Sequence, residues 1–481
     1  MSQPSIAGGL DDAPVVRSLD AGEWRSEIEQ IRDDGDRFAG LWASRRGEAI
    51  ELHAVFTCDE RFLLLTCGSP DGYFQSIVDL IPAAGWDERE AHDQYGAEFA
   101  GHSPMRPLVD HPDDLAAWTV PVRGGDTFQI AVGPIHAGII ESGHFRMHVV
   151  GERILHLDLR LFYKHRGIEQ AAEGRRPEDA LPFIQRACAS DAVANAVAFA
   201  QACESAAGLW PTPELRRART VLLELERLYS HLNDISALCA GVGFAVGTML
   251  FAAFKERAQR LNASLTGSRF LFGSVAVGRG VFVVDASQAD AARADLRALR
   301  DDVQRAWHEL QFADSAQDRF DGVGVLSLDA AKSLGAVGPS ARASGLAIDA
   351  RQQSPRLSYE GFEPAAPPVP AGDVAARLEM RPTELWFTFD RLDELLSQPT
   401  VPAGMDTVRS PRRDGLAAVE SPRGQTICAV ELDDDRVARV HLRTGSYANW
   451  PAVADAARDG LLSDFPLINK SFELCYACVD R

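Results

Sequence analysis

The segment SFELCYACVDR, Ser471 to Arg481, carries Cys475 and Cys478 in a C-x-x-C spacing. Two thiolates so placed can share a soft metal ion, but a closed site needs further donors from elsewhere in the chain. The segment RACASDAVANAVAF, Arg186 to Phe199, at the start of a helix, offers Cys188 and, three residues on, Asp191. Residues at i and i+3 share one side of a helix, so these two can present a sulfur and a carboxylate to one ion. The four residues together predict a site of three thiolates and one oxygen. The alternative for the terminal pair alone is two ordinary thiols.

Those residues need a scaffold that brings the middle of the chain to its end. Residues 1 to about 120 read as a small α/β unit, with β-type runs IELHAVFTC and RFLLLTCG around a turn at Cys58-Asp59-Glu60, then a helix in IPAAGWDEREAHDQYGAEFAGHSP. FQIAVGPIHAGIIESGHFRMHVVGERILHLDLR reads as strands joined by turns. From about Pro177 the period becomes helical. In TPELRRARTVLLELERLYSHLND, Thr212 and Pro213 mark the start, Leu222, Leu225, Tyr229 and Leu232 form one stripe, and Glu224, Arg227 and His231 lie on another. A strand-like VFVVD precedes the helix SQADAARADLRALRDDVQRAWHELQ, and EPAAPPVPAG, Glu363 to Gly372, predicts an exposed loop before a helix near Asp373. TICAVELDDDRVARVHLRT predicts a hairpin turning at Asp433 to Asp435.

A chain of 481 residues, 46% of them apolar, exceeds one compact core and suggests two or three domains. With 49 basic against 69 acidic residues its charge is −20, which argues against nucleic acid or an anionic membrane surface as the main partner. Eight scattered cysteines and an N-terminus without basic and apolar leader regions point to a reducing cytoplasm. The charge-free run Ile235 to Phe254 is long enough to span a membrane, but Gly241, Gly243 and Gly247 interrupt it, so it reads as two bundle helices with a break. Its GVGFAVG is a weak match to a nucleotide loop.

Seven stretches occur in order along nearly the whole chain: PAAGWDEREAHDQYGAEFAGH, GPIHAGIIESGHFR, YKHRGIEQAAEGR, RRARTVLLELERLYSHL, GPSARASGLAIDAR, AAVESPRGQ and NWPAVADAARDGLLSDFPLINKSFELCYACVDR. They resemble the large subunit of membrane-bound nickel-iron hydrogenases of the formate hydrogenlyase type. That family is homologous to the quinone-site subunit of respiratory complex I, and here a domain similar to a second complex I subunit is fused in front. The resemblance implies an α+β fold: a complex I small-subunit-like α/β domain over residues 1–122, then a mainly helical hydrogenase large-subunit-like domain with peripheral strands over 123–481.

The resemblance also implies roles. In the family, two C-x-x-C pairs hold a nickel-iron centre, the first thiolate of each terminal on nickel and the second bridging to iron. Cys475 and Cys478 match one pair and Cys188 the first cysteine of the other, whose second position is Asp191; Asn195 stands where a histidine follows. A carboxylate is a harder, less covalent bridge than a thiolate. Glu141 matches a proton-relaying glutamate, Arg423 an arginine over the metal-bound diatomic ligands, and His136 a histidine near the quinone headgroup in complex I. Glu224, Arg227 and His231 recur in both branches and are read as a structural or solvated face.

The activity implied is that of an oxidoreductase splitting dihydrogen heterolytically, with electrons leaving through an iron-sulfur cluster in a partner small subunit, since no cluster motif is read here. A ferredoxin-like subunit and integral membrane subunits are the other implied partners, on the cytoplasmic, inner face of the cell membrane. A metal-free quinone-reducing subunit and a scaffold coupling electron flow to a membrane arm are the alternatives. Family members commonly lose a short extension just after the C-x-x-C segment, and this sequence stops near that position, at Arg481.

Overall fold

The computed structural model describes residues 14–58, 61–135 and 141–481. His136 and the Asp59-Glu60 turn lie outside the described residues. In the front part, β1 (Val15–Leu19), β2 (Arg37–Arg46), β3 (Ala49–Cys58) and β4 (Arg61–Ser69) form one sheet ordered β1-β4-β3-β2. β2, β3 and β4 run antiparallel, and β1 joins parallel to β4. Successive residues Leu52, His53, Ala54, Val55 and Phe56 are all buried because both faces of this sheet are covered. One face packs on α1 (Trp24–Asp33) through Trp24, Ile28 and Ile31. The other meets the C-terminal part through Trp42, Val55, Leu64, Leu416 and Ile427.

Two short strands, β5 (Tyr73–Gln75) and β6 (Glu98–Ala100), bracket α2 (Gly85–Tyr95), the helix expected in GWDEREAHDQY, which Gly96 closes in the left-handed conformation. After α3 (Leu115–Trp118) comes the antiparallel sheet β7 (Thr127–Val132), β8 (His144–Val150) and β9 (Arg153–Arg160).

Helices then dominate. α4 (Ile168–Ala172) and α5 (Pro177–Gln185) lead to α6 (Ala192–Ala206), buried along its whole length. β10 (Leu209–Pro211) precedes α7 (Pro213–Gly241), whose Thr212 cap accepts from Leu215 N at 3.4 Å and whose leucine stripe is buried as the spacing predicts. α7 stops at Gly241, the chain turns through Gly243 at φ +73°, and α8 (Ala245–Thr266) begins. Among the described residues no helix is long and apolar enough to cross a membrane.

The expected strand VFVVD does not form. Phe282 and Val284 are buried and Val281 and Val283 exposed, so the alternation is real, but a single bridge from Val284 to Thr400 replaces a ladder. α9 (Ala286–Gln311) follows with a reciprocal capping box between Asp285 and Gln288. Then come α10 (Asp314–Phe320), α11 (Leu328–Ser333), α12 (Gly338–Ala343) and, after the irregular proline-rich loop, α13 (Val374–Leu395) capped by Asp373. β11 (Met405–Thr407) pairs with β10, and β12 (Asp414–Ser421), β13 (Gly424–Asp433) and β14 (Arg436–Arg443) make an antiparallel sheet with the predicted hairpin. α14 (Gly445–Ala457) and α15 (Phe465–Phe472) lead into the tail.

α6 lies directly on β12 and β13. A Cβ at Gly415 would sit 2.0 Å from the Ala202 carbonyl oxygen, so glycine is what permits this approach. The packing fixes the start of α6, and with it Cys188 and Asp191.

Candidate metal centre

Asp191 occupies the N-cap position of α6, where an aspartate ordinarily accepts from the second or third helical amide. Here it makes no such bond. Glu226 from α7 takes both amides instead, Val193 N at 2.6 Å and Ala194 N at 3.0 Å. The Asp191 carboxylate is therefore free to turn toward the tail, where its Oδ2 accepts from the Cys478 thiol at 3.4 Å. α7 also holds the loop before α6: the Tyr229 hydroxyl donates to Ala189 O at 2.7 Å and that of Ser230 to Ser190 O at 3.2 Å.

The tail arrives from α15, which ends at Glu473 with φ +50°, the left-handed geometry that closes a helix. Cys475 is fixed by its amide donating to Ser446 Oγ at 3.0 Å. Its sulfur receives the Cys188 thiol at 3.0 Å, and the sulfurs of Cys188, Cys475 and Cys478 all lie within 4.8 Å of one another. The fold thus brings the three cysteines and Asp191 into one place. Cys188, Asp191 and Cys478 are buried and Cys475 is partly so.

Donation from Cys188 holds Cys475 well below the ordinary thiol range and pushes Cys188 itself up to about 12. Cys478, hydrogen-bonded to both neighbouring sulfurs, rises well above its ordinary value. Burial, above all, lifts Asp191 to about 7. Asp191 Oδ1 is buried without a well-formed hydrogen bond, as are both amide atoms of Asn195 one turn further on. A soft cation between the sulfurs would take the place of the shared protons and add a partner for Asp191 Oδ1, so the donor set fits a metal.

Arg166, in YKHRG, ties the two cysteine-bearing segments together. Its Nη2 donates to Ala187 O at 2.7 Å and Ala477 O at 2.6 Å, the residues just before Cys188 and Cys478. Arg423 is buried and lines the cavity above the sulfurs, its guanidinium held bidentate by Asp234 at 2.5 and 2.8 Å. Burial would lower the Arg423 pKa, but Asp234 and then Asp191 reverse the effect. Glu141 lines the same cavity, one-third exposed and paired with Lys164 at 2.8 Å. The cavity measures about 930 Å³, with Ile130, Phe145, Met147 and Phe465 among its apolar walls.

The reading of Glu224, Arg227 and His231 as a structural or solvated face is corrected in its second half: all three are fully buried. Arg227 bridges Glu224 and Glu384 at 3.3 Å each, His231 Nε2 lies 2.8 Å from Glu384, and Arg342 closes on Glu384 from α12. Tyr359 and Thr388 hydroxyls satisfy Glu224 at 2.6 and 2.7 Å. With this many partners the charges can be buried, which a helical period alone does not reveal. Sequence reasoning also missed Arg166, Glu226 and Asp234. Nothing local marks them, because their partners are backbone carbonyls, helix amides and an arginine far along the chain.

Residues 242–399 and 400–481 match the family described as respiratory-chain NADH dehydrogenase, 49 Kd subunit, and residues 20–125 match the respiratory-chain NADH dehydrogenase, 30 Kd subunit. Formate hydrogenlyase subunit 5 of Escherichia coli (strain K12) is 32% identical over 85% of this chain and 77% of its own length. Hydrogenase-4 component G of the same organism is 31% identical over 85% and 76%. The C/D subunit of NADH-quinone oxidoreductase from Phocaeicola vulgatus is 27% identical over 84% and 86%. A chain in the solved structure of the membrane-bound sulfane sulfur reductase, an archaeal respiratory membrane complex, superposes with a TM-score of 0.68 at 26% identity, covering 74% of this chain and 99% of that one.

Proposed function

The chain belongs to the family of fused large subunits shared by membrane-bound hydrogenases and complex I-like oxidoreductases, and from that premise we propose that it is a catalytic-type hydrogenase subunit holding nickel and iron with Cys188, Cys475, Cys478 and Asp191. The observation that carries the reading is the convergence of three sulfurs and a carboxylate, 3.0 Å between Cys188 and Cys475 and 3.4 Å between Cys478 and Asp191.

When bound, such a centre supplies the interconversion of dihydrogen with protons and electrons. The chain's own residues then have definable tasks. Asp191 presents its Oδ2 beside the Cys478 sulfur, 3.4 Å away, as the oxygen donor of the set. Arg423, fixed by Asp234, places a permanent positive charge over the sulfurs and stabilises negative charge there. Glu141 and Lys164 at the cavity wall pass protons between the buried site and solvent.

The division at residue 122, the cytoplasmic face, an iron-sulfur small subunit as electron acceptor, a ferredoxin-like subunit and integral membrane subunits complete this proposal. Metal analysis of the chain purified with its partner subunits tests it: nickel and iron in stoichiometric amounts support it, and their absence refutes it. The apolar walls and volume of the cavity favour a second reading, a quinone-type ligand in a metal-free pocket. Binding of a quinone analogue to chain devoid of metal would select that reading.

A further inference from the structure

The front part of the chain touches the tail that carries the thiol pair. On α2, Asp87 and Glu90 are spaced i, i+3 on one face and are 2% and 6% exposed, unusual burial for two acids on an eleven-residue helix. That face turns away from the front core. Asp87 pairs with Arg443 of β14 at 2.8 and 3.3 Å, and Glu90 Oε1 receives Arg481 Nη2 at 2.6 Å. Arg481 is itself 3% exposed, donates through Nε to Glu169 Oε1 at 2.7 Å and stacks over the Tyr447 ring at 4.8 Å. Tyr447 in turn meets Trp86 of α2 edge-on at 5.6 Å.

From Arg481 the connection to the sulfurs is short. Val479 and Asp480 amides both return to Tyr476 O, at 2.9 and 3.0 Å, making residues 476 to 480 one tight turn with Cys478 inside it. The Arg166 amide secures the same turn, donating to Asp480 O at 2.9 Å. A guanidinium buried between two carboxylates on different parts of the chain cannot be released without leaving charges unpaired in a dry environment.

We propose that the fused front domain is a positioning element for the metal-binding tail, with Glu90 the residue that acts, through Arg481, to seat Cys475 and Cys478. The meaning of this for catalysis rests on the proposed hydrogenase reading, but the seating itself is a property of the metal-free chain. It assigns the front domain a task in the large subunit's own site, separate from any contact with other subunits.

The test uses full-length chain stripped of metal, labelled with iodoacetamide and followed cysteine by cysteine by mass spectrometry. Glu90→Ala is expected to raise the labelling rate of Cys475 and Cys478 by about tenfold or more while Cys67 in the front core and Cys239 in α7 keep their wild-type rates. Arg481→Ala should match it, the double variant should go no further, and Glu90→Gln, which keeps one acceptor oxygen, should fall between. Wild-type labelling of the tail in Glu90→Ala would overturn the proposal, and so would a parallel rise at Cys67 and Cys239, which would mean general loosening. If instead the tail responds as expected but the wild-type chain never binds nickel or iron, the seating stands and the hydrogenase reading falls.

Discussion

The Cys188 thiol donates to the Cys475 sulfur across 3.0 Å, although 287 positions separate the two residues. They meet because α6 is pressed on the β12-β13 sheet while α15 returns the tail beside α7. Replacing Cys475 or Cys478 with Ser exchanges a soft donor for a hard neutral one and should lower metal affinity by on the order of 100-fold or more, read by chelator competition. Asp191→Cys should tighten binding of soft metals. Unchanged affinity in all three variants would place the metal elsewhere.

Glu226 substitutes for Asp191 as the cap of α6. Glu226→Ala leaves Val193 N and Ala194 N without that acceptor, and Asp191 is the nearest side chain able to take its ordinary capping place. The expected result is a chain losing about 1 kcal/mol of stability in urea while metal affinity drops as in Asp191→Ala. A stability loss with metal affinity intact would show that Asp191 is held by something else.

Asp234 is buried with Arg423 against it, and Arg381 Nε stands further off at 3.5 Å. Arg423→Leu leaves this carboxylate only Arg381 and His231, whose Nδ1 stands 3.7 Å away, and should cost about 3 kcal/mol in the urea unfolding of metal-free chain, whereas Arg423→Lys should cost less. Joint replacement of Arg423 and Asp234 by apolar residues should recover part of the loss. Equal costs for the single and joint replacements would mean that the pair does not stabilise the fold in this way.

At the contact between the front sheet and the β12-β14 sheet, the ring of Trp42 stacks on His53 at 5.1 Å and on His441 at 5.2 Å. His53 Nε2 also meets Ser44 Oγ at 2.8 Å, with Glu431 at 3.6 Å and Glu51 at 3.9 Å. Burial, opposed by Glu431 and assisted by Arg439, His441 and Arg413, lowers His53 to about 4. The unfolded chain takes up the proton near pH 6.5 and the folded chain only near 4, so stability from this site is complete above 6.5 and falls as pH drops from 6.5 to 4. The loss is on the order of 3 kcal/mol, and His53→Gln should flatten that part of the pH-stability curve. A variant with the wild-type slope would assign the acid sensitivity to other groups.

The site was legible where chemistry is written in residue type: sulfur at C-x-x-C spacing, and sulfur with carboxylate three residues apart, although Cys188 and Asp191 both precede α6 and meet through the turn before it, not through a shared helical face. Thr212-Pro213, the glycine break after α7 and the proline-rich loop were legible because capping and φ restriction are local. Glu226 and Arg166 were not, because an acid that caps another helix and an arginine that binds two carbonyls look like any surface charge until the chain is folded. The same holds for Glu224, Arg227 and His231, whose burial depends on Glu384 and Arg342 arriving from distant helices. VFVVD shows the converse limit: alternation reports which side chains are buried, and a strand also needs a neighbour to bond.

Elemental analysis of nickel and iron in the full-length chain isolated with its partner subunits decides whether Cys188, Asp191, Cys475 and Cys478 hold a nickel-iron centre. Both metals are expected in stoichiometric amounts and are lost when Cys475 or Cys478 becomes Ser. Protein that carries neither metal, or a single zinc, when isolated intact with those partners would contradict that assignment.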